Sequence, residues 1–291
     1  MAIKPMDLVL SRIVWETPDT VTLFFQREPS PSSEGAERFD YKAGQFCTID
    51  PHQFKQLSSV VGYLEQLKGK KEVTRAYSMS SAPAERELAV TVKEEVYTAG
   101  KMPYPPLLSG LLVHGLKEGM ILRVVGFTGP YVLPEKSDGV GHLLHVCAGS
   151  GIVPNFSILK DALARDLPIK HTLLYANKTT QDIIFRDGID ALCARHPDKL
   201  KVIHALTREP EAEKLGPDYR KGRIDASLLR EALAVDPNTL VYLCGAGVTP
   251  HEARAARKEG RTPEPRFLET MLELLKGLGV GKERLHYESY G

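Results

Sequence analysis

The sequence predicts two domains: an antiparallel β-barrel over 1–138, then an α/β domain built on a parallel sheet over 139–291. Three observations carry this. A chain of 291 residues, 42% of them hydrophobic, exceeds the ~100–150 residues common for one domain and can fill more than one core. Its apolar residues change period partway along, from strand-like runs joined by turns to strand-like runs alternating with helical ones. Between the two regimes lies VLPEKSDGVG (132–141), where Pro, Ser, Asp and Gly cluster as they do in linkers.

Taken in order, the first half offers LVLSRIVWET (8–17), TVTLFFQ (20–26), GQFCTID (44–50), TRAYSMS (74–80), ELAVTVKEE (87–95) and MILRVVG (120–126). Many of these alternate β-branched with polar residues, the pattern of a half-buried antiparallel strand. From Gly141 the strand-like runs HLLHVCAG, KHTLLYAN, KVIHALTRE, TLVYLCGAG and RLHYESY alternate with the helical VPNFSILKDALA, GIDALCARH, DASLLREALAV and FLETMLELLKGLG. Such alternation implies βαβ units, with helices on the faces of a parallel sheet. Three segments read as insertions. PHQFKQLSSVVGYLEQLKGKKE (51–72) carries Val60, Val61, Leu64 and Leu67 at helical spacing before a Lys-rich turn. YTAGKMPYPPLLS (97–109) is rich in proline, and HEARAARKEGRTPEPR (251–266) is polar and mostly basic.

Composition excludes several classes. Lys and Arg total 38 against 37 acidic residues, so no global field draws the protein onto nucleic acid or an anionic membrane. No apolar run reaches the ~18–20 residues of a spanning helix, and MAIKPMDLVLSRIV lacks a signal-like stretch, so membrane insertion is not expected and the expected location is cytoplasmic. Cys47, Cys147, Cys193 and Cys244 stand singly, without the spacing of an iron–sulfur or zinc site, so no metal site is expected.

Two strand-to-glycine turns point to a ligand. In an open parallel sheet, ligands bind beyond the carboxyl ends of the strands. There CAGSGIVPNFSILKDAL places Gly149 and Gly151 ahead of a helix whose positive end suits a phosphate. LCGAG, with Cys244 and Gly245, ends the fourth strand of the same sheet, and two such turns favour a long ligand such as a dinucleotide. An unusual strand precedes them: TRAYSMSSAP (74–83) sets Arg75, Tyr77 and Ser78 where a core-facing strand would be apolar.

RAYSMSS resembles the flavin-binding RxYS motif of the ferredoxin–NADP reductase superfamily. AGQF, GSGIVP, LTRE, CGAG and ESYG follow that family's order, so the resemblance runs over about residues 7 to 290. It implies an FAD-binding barrel, a Rossmann-like NADP-binding domain and electron transfer between them. By resemblance Arg75 would meet the flavin diphosphate, a role suited to its permanent charge and fork of donors. Ala76 shares that strand, Tyr77 would pack on the flavin and Ser78 would hydrogen-bond near its N5. Thr91 and Lys93 in TVKEE, with Phe46 and Thr48 around GQFCT, would flank the ring, Phe46 being equally readable as core. Ser109 and Gly110 would open the helix that receives the second flavin phosphate, which favours FAD over FMN.

The catalytic positions implied by the resemblance are Ser78, Cys244, Glu288 and Tyr290. Cys244 reads equally well as a small buried hydrophobe. Tyr290 would stack on the flavin, with Gly291 beyond it a departure from relatives that end on the aromatic. For the nucleotide, Gly149, Gly151, Cys244 and Gly245 would line the two turns. Lys178 with Thr179 and Thr180, then Thr207, Arg208 and Tyr219, would receive a ribose 2′-phosphate, so NADP(H) is expected, with NAD left open. Electrons are expected to pass to a separate protein, a ferredoxin or flavodoxin, steered by Lys68, Lys70, Lys71, Arg254, Arg257, Lys258 and Arg261. Two other readings stay open: an NADH-dependent reductase component of an oxygenase or desaturase, and a flavin-binding redox-sensing subunit without turnover.

Overall fold

The computed structural model describes residues 5–27, 38–99, 102–134 and 139–290. The expected linker at 132–141 and the insertion at 97–109 therefore each lie partly outside the described residues, and Gly291 wholly so. The chain divides into two compact units, Met1–Val132 and Leu133–Gly291.

The first unit contains β1 (Pro5–Thr17), β2 (Thr20–Arg27), β3 (Phe46–Ile49), α1 (Ser58–Lys68), β4 (Arg75–Ser78), β5 (Leu88–Lys93), α2 (Ser109–His114) and β6 (Ile121–Thr128). Its strands form one antiparallel sheet in the order β4-β3-β6-β1-β2-β5. A bridge between Met79 and Val90 brings the two ends of that order together, which makes the sheet barrel-like and hides its edges. The inward positions, among them Leu8, Leu10, Val21, Leu23, Phe25 and Val90, form the core.

The insertion helix α1 forms where its spacing predicts, but only Val61 and Leu64 are buried; Val60 and Leu67 face outward. Val61 and Leu64 pack on Leu107, with Leu57 and Tyr104 alongside. Two segments that read as separate insertions thus share one small core beside β4.

The second unit contains β7 (His142–Ala148), α3 (Ile152–Ala164), β8 (Lys170–Asn177), α4 (Arg186–Arg195), β9 (Leu200–Leu206), β10 (Tyr219–Lys221), α5 (Ala226–Leu233), β11 (Leu240–Ala246), α6 (Pro250–Lys258), α7 (Phe267–Gly277) and β12 (Leu285–Tyr290). All strands run parallel in the order β10-β9-β8-β7-β11-β12. One face packs Leu173 and Tyr175 against Ile152, Phe156 and Ile189 of α3 and α4. The other packs Leu144, Val146 and Leu243 against Leu229, Leu268 and Leu275 of α5 and α7. Three-residue β10 has no apolar alternation for a sequence reading to find. The basic insertion becomes α6, started by a capping box in which Thr249 and Glu252 satisfy each other's backbone N–H groups. Arg266 ties back to it through Glu252 at 2.6 Å.

The strand order reverses between β7 and β11. Chain order runs outward from β7 through β10 on one side and returns to β11 and β12 on the other. That reversal is the switch point at which open α/β sheets receive ligands.

Candidate functional site

In the first unit a cleft of about 330 Å³ lies at β4. Its lining includes Arg75, Ala76, Tyr77, Lys93 and Ser109, five of the residues expected to hold a flavin, together with Lys68 and Tyr104 from the two insertions. Ser78 is buried at the end of β4, opposite Phe46 in register. Thr91 is also buried rather than lining the cleft: its hydroxyl lies 2.9 Å from that of Thr22 and donates to Ser80 Oγ at 2.9 Å. Thr48 donates to the carbonyl of Val125.

The charges in this cleft are paired through a carboxylate that sequence reasoning missed. Arg75 Nη2 donates to Glu72 Oε2 at 2.7 Å, and Lys68 Nζ donates to the other oxygen of the same buried carboxyl. Burial alone would raise the Glu72 pKa, but the bonds from Lys68 and Arg75 outweigh it and hold the carboxyl below its ordinary value. Lys68 also lies over the Tyr104 ring, 4.5 Å from its centroid. It therefore belongs to the cleft as well as to the Lys-rich turn.

Lys93 donates to Asp19 Oδ1 at 2.7 Å. Burial would raise the Asp19 pKa, but Lys93, Thr17 and Thr20 together hold it below the usual carboxylate range. Ser109 begins α2, and its hydroxyl accepts from the Glu95 N–H at 3.1 Å. Gly110 follows it on a helix of only six residues.

In the second unit the two glycine turns meet at the switch point. A tight turn over Gly149–Gly151 joins β7 to α3, and Gly149 takes φ +51°, a left-handed value that glycine adopts without strain. A side chain at Gly149 would face open space, whereas a Cβ at Gly151 would collide with the carbonyl group of Cys244 and stand 2.9 Å from Gly245 Cα. Gly151 is what lets the first turn lie against the end of β11. Gly151→Ala is accordingly expected to lower the stability of this unit by about 1–3 kcal/mol, or to push the two turns apart, and chemical denaturation would measure it.

Register brings Cys244 and Glu288 together: Cys244 pairs with Cys147 on one side and with Glu288 on the other. Burial, then the charge of Glu288, pushes the Cys244 thiol well above its ordinary pKa, so it is a neutral S–H and not a thiolate. Burial also pushes the Glu288 carboxyl up to about 7, and its Oε2 is a buried oxygen with no hydrogen-bond partner in the structure. Tyr290 ends β12 half-buried, paired with Ala246.

The loops after β8 and β9 run side by side, tied by Thr207 N to Asn177 O at 3.0 Å and Arg208 N to Lys178 O at 2.7 Å. Exposed Lys178, Thr207 and Arg208 are thereby gathered at one place. Thr179 caps its own turn through Asp182. Thr180 gives both its N–H and its hydroxyl to Glu209 Oε2, at 3.2 and 3.3 Å, which puts an unforeseen carboxylate among the cations. The Tyr219 ring stacks on His204, 5.1 Å between centroids.

Among the described residues no group of three or more His, Cys, Asp or Glu could hold a metal ion, and no helix is long and apolar enough to cross a membrane.

Residues 145–251 match the oxidoreductase NAD-binding domain family. The ferredoxin reductase component of 3-ketosteroid-9-alpha-monooxygenase from Mycobacterium tuberculosis (strain CDC 1551 / Oshkosh) is 31% identical over 262 residues, covering 89% of this chain. This chain spans 63% of the length of that relative. The flavohem-like FAD/NAD-binding domain of nitric oxide dioxygenase from Vibrio cholerae O1 biovar El Tor superposes with a TM-score of 0.69 at 22% identity, over 98% of both chains. Ferredoxin–NADP+ reductase from Plasmodium falciparum does so with a TM-score of 0.66 at 17% identity, over 100% of both.

Proposed function

We propose that this chain, whose residues 145–251 match the oxidoreductase NAD-binding domain family and whose motifs resemble those of the ferredoxin–NADP reductase superfamily, is an FAD-dependent NADPH reductase that exchanges electrons with a separate small iron–sulfur or flavin protein. The observation that supports this most is the convergence, at the switch point, of the Gly149–Gly151 turn, the end of β11 and the buried unpartnered oxygen of Glu288. A buried carboxyl oxygen left without a partner is costly, and a site that tolerates one has a use for it.

Bound FAD would accept a hydride as an electron pair and return electrons one at a time. The residues present fit such a group. Arg75 would hold its diphosphate through the donors not taken by Glu72 and Val73, and Tyr77 and Lys93 would line the remainder of the cleft. In the second unit the glycine turn would receive the nucleotide diphosphate, with Cys244 as a neutral wall beside it. Glu288 Oε2, with a pKa of about 7, can hold or give up a proton near neutral pH, which suits a group that must tolerate charge changes next to it.

The acceptor class is supported by the similarity to a relative that is a ferredoxin reductase component. The choice of NADPH is supported by Lys178, Thr207 and Arg208, which together suit a 2′-phosphate. Arg208→Ala is expected to raise KM for NADPH about 10–100-fold, the scale of one charge-assisted contact, and KM for NADH by less than about 2-fold. Equal effects on both would remove Arg208 from the phosphate site. A second reading, an NADH-dependent reductase component of an oxygenase, is favoured by Glu209, since a carboxylate suits a ribose 2′-hydroxyl and repels a phosphate.

Anaerobic mixing of the purified protein with NADPH, and separately with NADH, tests both. Rapid bleaching of the flavin by NADPH supports the first reading, and preferential bleaching by NADH supports the second. A flavin spectrum that neither donor changes would leave a binding or sensing subunit.

A further inference from the structure

Beneath the Gly149–Gly151 turn, the sheet face that meets α3 carries buried polar rings where a parallel strand ordinarily has Val, Ile or Leu. His145 on β7, His171 and Tyr175 on β8, and Asn155 in the first turn of α3 are all at least nine-tenths buried. Their hydrogen bonds run in one direction. Asn155 Nδ2 donates to the carbonyl of Gly151 at 3.1 Å, so its Oδ1 is the acceptor that faces His145 Nδ1 at 3.0 Å. His145 must therefore carry its proton on Nδ1, and its Nε2 must accept from His171 Nδ1, 3.2 Å away. His171 Nε2 is left as a buried acceptor with no partner in the structure. Beside this chain, the Tyr175 hydroxyl donates to the carbonyl of Gly149 at 2.9 Å and accepts from Ile184 N at 3.3 Å. Burial holds His145 down to about 4 and His171 to about 2, so both rings stay neutral at ordinary pH.

A peptide plane carries its C=O and N–H on opposite sides, so a carbonyl drawn inward turns the following N–H outward. With the Gly149 carbonyl held by Tyr175, the N–H of Ser150 faces away from the interior, and Asn155 fixes the next carbonyl but one. We propose that Asn155 and Tyr175, with His145 and His171 behind Asn155, are positioning residues that lock the glycine turn in the form that receives the nucleotide diphosphate. None of the four touches the ligand. They act through the backbone of the turn, and Gly149 and Gly151 alone would leave it free to adopt other conformations. This inference rests on the reading that the turn binds a nucleotide diphosphate.

The test uses two near-isosteric variants of the flavin-loaded protein, Asn155→Asp and Tyr175→Phe, titrated with ADP-ribose, which carries the diphosphate, and with adenosine, which does not. Asn155→Asp sets a carboxylate oxygen against the Gly151 carbonyl while still accepting from His145. Tyr175→Phe removes one hydroxyl from the opposite side of the turn, and keeps the question answerable if the first variant folds poorly. The expected result is a Kd for ADP-ribose raised on the order of tenfold in the first variant and about threefold in the second. Adenosine binding should stay within about twofold. In turnover, KM for the reduced nucleotide should rise more than the limiting rate falls. Unchanged ADP-ribose affinity in Tyr175→Phe, or parallel weakening of ADP-ribose and adenosine, would overturn the positioning role. Wild-type protein that binds no ADP-ribose would overturn the nucleotide reading itself, and this inference with it.

Discussion

Arg75→Ala is expected to yield protein that emerges from purification largely without flavin, with FAD affinity lowered on the order of 10²-fold. That figure is the scale of losing charge-assisted hydrogen bonds to a phosphate group, ~1.5–3 kcal/mol. The geometry explains why this position dominates. Arg75 lines the cleft from β4, with Nη1 donating to the Val73 carbonyl and Nη2 to Glu72, so Nε and the second hydrogen on each Nη are the donors left for a diphosphate. A lysine there would keep the charge and lose the fork, so Arg75→Lys should retain an intermediate fraction of flavin. Arg75→Ala carries a second cost, because it leaves the buried Glu72 carboxylate with Lys68 as its remaining partner. Glu72→Gln separates the two effects. It keeps Arg75 and relieves the buried charge, and should hold flavin far better than Arg75→Ala. The absorbance ratio of flavin to protein, followed by titration of the stripped protein with FAD, measures all three. Full flavin content in Arg75→Ala would remove Arg75 from the site.

The parts legible in the sequence were those with short-range signals. Barrel strands, alternating βαβ units and the glycine turn before α3 each announce themselves through period or residue type, and among the described residues they form an antiparallel sheet of six strands and a parallel sheet of six. The parts that were not legible arise from contacts between distant segments. Glu72 and Lys68 read as members of a solvated Lys-rich insertion until α1 packs through Val61 and Leu64 onto Leu107 and draws them to Arg75. Glu209 reads as a loop charge until the loop after β9 lies beside Thr180. Cys244 and Glu288 are 44 residues apart in the chain, and only the parallel register of β11 and β12 makes them neighbours. Asn155 did leave a trace: a polar residue on the otherwise apolar face of a buried helix. A sequence gives no indication that its partner is a histidine ten residues back, inside the sheet.

The second unit is expected to lose stability steeply as pH falls below about 6.5, well before its carboxylates other than Glu288 are protonated. Burial holds His142, His145 and His204 down to about 4 and His171 to about 2, against an ordinary 6.5. The sign follows from which state binds the proton. Between the two pKa values the unfolded chain takes up a proton on each ring and the folded chain does not, so acid favours unfolding; above 6.5 both states are neutral and nothing is lost. Each histidine removes up to ~1.4 kcal/mol per pH unit, and four together approach the whole ~5–15 kcal/mol stability of a domain within two units. Glu288 works the other way. Its pKa is raised to about 7, so its stabilising share is present at low pH and declines as pH rises through 7, which offsets part of the histidine effect on acidification. The histidines outnumber it and set the net direction. Denaturant titrations at about pH 7 and about pH 5 should therefore give a lower midpoint at the acid end. His204→Phe keeps a ring stacked against Tyr219 and removes both a titrating group and the unpartnered Nδ1, so it should flatten this dependence by about one histidine's share. Equal midpoints at the two pH values would mean that the buried rings take up protons while folded, and the directed chain beneath the glycine turn would then lose the neutral His145 and His171 on which its polarity depends.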